Sequence, residues 1–128
     1  LRILDGYEAD GAFTFAGGEA AMASLLSLPT PPTAVFAESD EMAMGALLAL
    51  ERAGLKKDVY VIGIDAIAQA LTAVKEGRLD ATVFQDAVGQ GKGSVDAAIL
   101  LAKKQPCPKE TLIPFQLITR DNLSQFLK

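Results

Sequence analysis

Three short apolar runs, at residues 33–37, 59–64 and 79–84, are separated by two longer stretches whose apolar residues recur every three or four positions. Runs of that length bounded by turn residues suit strands buried on both faces, and the intervening spacing suits helices. Strand–helix–strand alternation predicts a parallel sheet joined by right-handed crossovers. The expected fold class is therefore α/β, a three-layer parallel sheet flanked by helices. The first run leads into Glu38-Ser39-Asp40 and the second ends at Asp65. Ligands of open α/β sheets sit at the carboxyl ends of the strands, where loop side chains and helix N-termini converge. The pattern points to a binding site before it points to a reaction.

The other segments fill in around this unit. Residues 1–9 can form a strand ahead of the Asp10-Gly11 turn. Helical spacing runs over about 17–27, through Ala20, Ala21, Leu25 and Leu28, until Pro29, Pro31 and Pro32 stop it. Asp40 stands where the N-cap of a helix over 41–52 should be; Met42, Ala46, Leu47 and Leu50 form its stripe and Gly54 closes it. Asp65 is placed to cap a helix over 67–76 ended by Gly77. Gly89, Gly91 and Gly93 then precede a helix from about 94 to 104, which Pro106 and Pro108 break. Residues 112–119 read as a last strand interrupted by Pro114, which suits an edge, and 121–127 as a short terminal helix.

At 128 residues, half of them apolar, the chain can bury one sizeable core and one domain is expected. Twelve basic against 16 acidic residues, without a basic cluster, leave no electrostatic footprint for nucleic acid or an anionic membrane. No apolar run approaches the ~20 residues that span a bilayer. Cys107 is the single cysteine and histidine is absent, so an internal disulfide, a zinc site and a His-dependent triad have nothing to build on. Leu1 opens what reads as a strand already under way, so a fragment of a larger chain is expected.

Several tempting motifs fail. Gly89-Gln90-Gly91-Lys92-Gly93-Ser94 lacks the spacer that lets a phosphate loop wrap its ligand, and reads as a flexible helix entry. Glu51-Arg52 and Lys103-Lys104 read as solvated helix charges, and Met42 and Met44 as core-side residues. No carboxylate is tied to a nucleophile or a metal-ligand pattern, so catalysis has no positive evidence. Neither a metal nor a cofactor is expected.

The stretch 32–47, Pro-Thr-Ala-Val-Phe-Ala-Glu-Ser-Asp-Glu-Met-Ala-Met-Gly-Ala-Leu, followed by Val61-Ile62-Gly63-Ile64-Asp65 and Ala81-Thr82-Val83-Phe84-Gln85, resembles the C-terminal lobe of two related groups. These are the type I periplasmic sugar-binding proteins, ribose-binding protein above all, and the effector domains of the lactose-repressor family. Phe13-Thr14-Phe15 with Gly18 is similar to the repressors. The link 54–58 lacks their usual Val-Pro-Glu-Asp run, and the tail 113–123 resembles the binding proteins more.

The resemblance implies a flavodoxin-like lobe over residues 1–128, with the other lobe absent and residues 86–110 crossing toward it. It implies hinge closure around a small sugar or polyol, delivery to the membrane permease of an ABC importer, and a periplasmic or extracytoplasmic location. A repressor would instead be cytoplasmic, and an enzyme on the same scaffold is not excluded by fold alone. An ionised carboxylate at Asp65 can accept two sugar hydroxyls, and the matching residue touches ligand in the family. Gln85 offers a donor and an acceptor, against a plain hinge role. Phe13 matches an aromatic that packs on the ligand ring, against a plain core role. Ser39 stands where ribose-binding relatives carry Asn, which puts ribose itself in question. Asp40 is assigned to the helix N-cap or hinge. With the first lobe missing, the apolar face of the 94–104 helix, including Val95, Ile99 and Leu100, needs a new partner, so a homodimer or helix swap is expected.

Overall fold

In the computed structural model, which describes residues 5–127, the first helix begins where Thr14 caps it. The Thr14 hydroxyl oxygen accepts the Gly17 amide at 3.0 Å from extended backbone, so α1 (Phe15–Leu26) starts earlier than its apolar spacing predicts. Of the N-terminal segment expected as a strand, residues 1–4 lie outside the described residues. Residues 5–9 form a turn and irregular chain, tied down by the Tyr7 hydroxyl, which donates to the Thr30 carbonyl at 2.6 Å.

Four strands follow in chain order across one sheet: β1 (Ala34–Phe36), β2 (Tyr60–Ile64), β3 (Ala81–Phe84) and β4 (Gln116–Ile118). The pairs β1–β2 and β2–β3 are parallel, with Val35 opposite Val61 and Gly63 opposite Thr82. The crossovers are α2 (Asp40–Ala53) and α3 (Ala68–Glu76), each closed by a left-handed glycine, Gly54 and Gly77. The α/β sheet flanked by helices is thus as expected. β4 lies at the edge position that Pro114 implied, and the terminal helix is a short 3-10 turn, Leu123–Gln125.

The core lies between the helices and the sheet, centred on Met22, Leu47, Leu50, Val61, Val74, Leu79 and Ile118. α1 reaches it by crossing α2 at backbone distance: a Cβ on Gly45 would stand 2.0 Å from the Phe15 carbonyl, and one on Gly18 2.3 Å from the Met42 carbonyl. Arg52, read as solvated, pairs with Glu19 of α1, and Arg78 holds Glu51 through two hydrogen bonds of 2.7 and 3.2 Å. At the amino ends of β2 and β3, the Val61 amide and the Lys56 ammonium both donate to Asp80 Oδ2, at 2.7 and 3.0 Å.

Two expectations need correction. β1 is not buried on both faces: among the described residues it is an edge strand, and Phe36 and Tyr60 are 61% and 68% exposed on the face that the register gives them in common. The glycine run does not precede the fourth helix but lies inside it. Asp86 accepts the Gly89 amide at 2.9 Å and starts α4 (Ala87–Ala102) well before Ser94. Each interior glycine costs about 1 kcal/mol relative to alanine, which weakens a helix without forbidding it.

The described residues form two compact units. One comprises those up to Phe84 together with those from Leu117 onward, and the other is Gln85–Gln116. The second unit contains α4, none of whose residues is buried.

Candidate functional site

At the carboxyl end of β1 the chain turns into α2 through Glu38, Ser39 and Asp40. The residue that caps α2 is Ser39, from extended backbone, its Oγ accepting the Met42 amide at 3.3 Å. Asp40 is therefore not the N-cap but the first helical residue, and it is fully buried. The hydroxyl one residue earlier meets the helix amide, and this frees the Asp40 carboxylate to point into the sheet.

There it gathers three segments. The Thr82 hydroxyl of β3 donates to Asp40 Oδ1 at 2.7 Å, and the Ile67 amide, at the start of α3, donates to Oδ2 at 2.9 Å. Thr82 Oγ1 in turn accepts the Ala66 amide at 3.2 Å. β2 makes room with Gly63, where a Cβ would stand 2.2 Å from Asp40 Oδ1. Burial pushes the Asp40 carboxyl above the usual carboxylate range; the Thr82 and Ile67 hydrogen bonds oppose that shift, and the nearby Asp65 charge adds to it.

Asp65 closes β2 on unusual backbone. Its amide donates to the Val83 carbonyl at 2.9 Å, and φ is 120° at Asp65 and 59° at Ala66. Positive φ at two successive non-glycine residues costs about 1–3 kcal/mol each and persists only when surroundings enforce it. Asp65 itself is exposed. It does not cap α3, whose N-cap position is Ile67 and whose nearby amide goes to Asp40 instead.

Phe13 lies on the loop ahead of α1. Ala12 and Phe13 have φ of 49° and 52°, held by the Ala12 amide donating to Asp10 Oδ1 at 2.7 Å and the Thr14 amide donating to the Gly11 carbonyl at 3.1 Å. The ring is 65% exposed, which removes the plain core role. The α1 entry rests on Met42 and Gly45 of α2, while Ser39, which is buried, follows the carboxyl end of β1 and Asp65 that of β2, all in the first unit. Gln85 follows Phe84 directly at the end of β3, is half-buried, and opens the second unit. A cavity of about 360 Å³ lined by Val74, Gly77, Leu79, Asp80, Thr119, Arg120 and Asp121 includes none of these four residues.

Sequence reasoning missed Asp40, Thr82 and Gly63 as one cluster. A glycine inside a β-branched strand was a usable signal, since it often marks close approach of another group.

The fold is an α/β lobe in which β1, β2 and β3 run parallel and turn into helices at their carboxyl ends. The chain belongs to the periplasmic binding protein domain family, whose model matches residues 3–106. A putative rhizopine-binding protein of Rhizobium meliloti is 51% identical over 106 residues, 82% of this chain and 34% of that protein. The HTH-type transcriptional repressor CytR of Escherichia coli is 56% identical over 63 residues, 48% of this chain and 18% of the repressor. A crystal structure of an ABC transporter solute binding protein from Bacillus halodurans with bound myo-inositol aligns with a TM-score of 0.78 at 46% identity, covering 89% of this chain and 39% of that one. The chain thus spans well under half the length of these proteins.

Proposed function

We propose that this chain is one lobe of a solute-binding protein for ABC-type import, holding a small sugar or polyol in an interlobe cleft that closes by hinge motion. The observation that carries this reading is the exposed Asp65 carboxylate, held on a left-handed turn at the carboxyl end of β2. A carboxylate at that position can accept ligand hydroxyls on its two oxygens. Phe13 adds an exposed flat face for the C–H surface of the ligand and Gln85 a donor and an acceptor, while Ser39, only 7% exposed in this lobe, caps α2 and keeps its hydroxyl proton to donate. The role is binding rather than catalysis. The myo-inositol in a 46% identical neighbour makes cyclic polyols the first ligands to test.

In this reading the Gln85–Gln116 unit crosses toward the other lobe, the partner is a membrane permease, and the location is extracytoplasmic. The stretch shared with CytR favours a second reading, an effector domain of a lactose-repressor-type regulator in the cytoplasm. The test is a thermal-shift panel of pentoses, hexoses, nucleosides and inositols on the full-length parent. A ligand at 100 times its dissociation constant adds about 2.7 kcal/mol, which raises the midpoint by several degrees. A shift for one polyol that Asp65→Ala abolishes supports the reading, and no shift for any member of the panel would contradict it.

A further inference from the structure

Asp40 is wholly removed from solvent, and a carboxylate in that position survives only with hydrogen-bond partners. Its partners are not those a helix start requires. Ser39 already serves the α2 amide, whereas Asp40 Oδ2 accepts from the β2–α3 turn and Oδ1 from Thr82 of β3. The Ile67 amide ends on Oδ2 directly. The Ala66 amide ends on Thr82 Oγ1, whose own proton goes to Oδ1. The two amides that follow Asp65 are therefore both anchored, directly or through one hydroxyl, on the same carboxylate. That anchoring acts where backbone strain is concentrated, at φ of 120° and 59°. Gly63 on β2 leaves room for the carboxylate, since a Cβ there would lie 2.2 Å from Oδ1 and 3.0 Å from the Ala43 Cβ.

We propose that Asp40 is a positioning residue for ligand binding: through Thr82, Ala66 and Ile67 it holds the β2–α3 turn in the strained conformation that presents the Asp65 carboxylate to ligand hydroxyls. The inference rests on the reading that Asp65 contacts the ligand. Asp40 itself touches no ligand, because it is buried. Its effect on affinity passes through the orientation of Asp65, and this separates it from a residue that merely stabilises the fold.

The experiment is a double-mutant cycle on the full-length parent with myo-inositol as probe, affinity being measured by calorimetry well below the melting midpoint of every variant. Asp40→Asn, Thr82→Val, Thr82→Ser, Asp65→Ala and the combinations with Asp65→Ala are compared. Thr82→Val and Asp40→Asn are expected to weaken binding about tenfold, as loss of one well-made polar contact would, and Thr82→Ser to restore it to within about twofold. In the Asp65→Ala background the same changes are expected to add less than about twofold, since residues acting through one another are non-additive. A second readout needs no ligand: amide exchange at Ala66 and Ile67 should accelerate in Asp40→Asn while exchange in the β2 interior stays unchanged. Equal losses with and without Asp65, or a lowered midpoint with unchanged affinity, would overturn the proposal while leaving the ligand reading intact. Undiminished binding in Asp65→Ala, or no binding by the parent of myo-inositol or of any other sugar or polyol of the thermal panel, would overturn both.

Discussion

Asp40 is a carboxylate that folding takes out of water, so its titration and its truncation make separate predictions. Asp40→Ala leaves the Ile67 amide and the Thr82 hydroxyl without their acceptor and is expected to cost about 2 kcal/mol or more in urea denaturation. Asp40→Asn keeps the shape and removes the charge. Because burial raises the folded-state value above the ordinary 3.8, the folded chain binds the proton more tightly than the unfolded one. The wild type should therefore gain stability relative to Asp40→Asn as the pH falls from the folded-state value toward 3.8, the reverse of an ion-paired aspartate. Denaturation midpoints of the two proteins from pH 7 down to pH 4 check this, and a difference that stays flat or changes in the other direction contradicts it. Gly63→Ala places a methyl group against Asp40 Oδ1 and should destabilise by about 1–3 kcal/mol. None of this cluster was legible in the sequence as a cluster. Asp40 lies 42 residues from Thr82 and 27 from Ile67, and no local pattern reports a contact at that separation.

At the scale of elements, the apolar runs announced β1, β2 and β3 and the helix spacing announced α1, α2 and α3, because both signals come from burial periodicity. Boundaries moved where one polar side chain decided them: Thr14 for α1, Ser39 for α2 and Asp86 for α4. Ser39→Ala should therefore cost about 1 kcal/mol, with Ser39→Asp recovering most of it, as read by thermal denaturation. The α1–α2 crossing makes a prediction opposite to helix propensity. Gly45→Ala improves the intrinsic preference of α2 by about 1 kcal/mol. Yet its Cβ would meet the Phe15 carbonyl and the Glu19 amide, backbone atoms that cannot step aside. A lowered melting midpoint is expected, and a raised one would mean that the crossing is looser than described. The exposure of Phe36 and Tyr60 escaped the sequence reading because an apolar run does not say which of its faces another element will cover.

For the whole molecule, the Gln85–Gln116 unit is the least self-sufficient part. α4 buries none of its residues, and Val95 and Ile99 are 58% and 45% exposed. Under the proposed function this surface belongs against a second lobe. The 128-residue chain alone is then expected to dimerise or exchange α4 at tens of micromolar by analytical ultracentrifugation, and Val95→Asp with Ile99→Asp to return it to monomer. A wild-type monomer over that range would remove the expectation. The ligand wall was only partly legible: Asp65 and Phe13 came from a strand end and a family resemblance, whereas the left-handed backbone that presents them is a property of the folded turns. The most direct test of the account is a crystal structure of the full-length parent with myo-inositol, or with whichever polyol the thermal panel selects. The account predicts a ligand hydroxyl within hydrogen-bond distance of the Asp65 carboxylate and the Phe13 ring against the ligand. A polyol bound in the cavity lined by Gly77, Asp80 and Arg120, with Asp65 facing solvent, would contradict it.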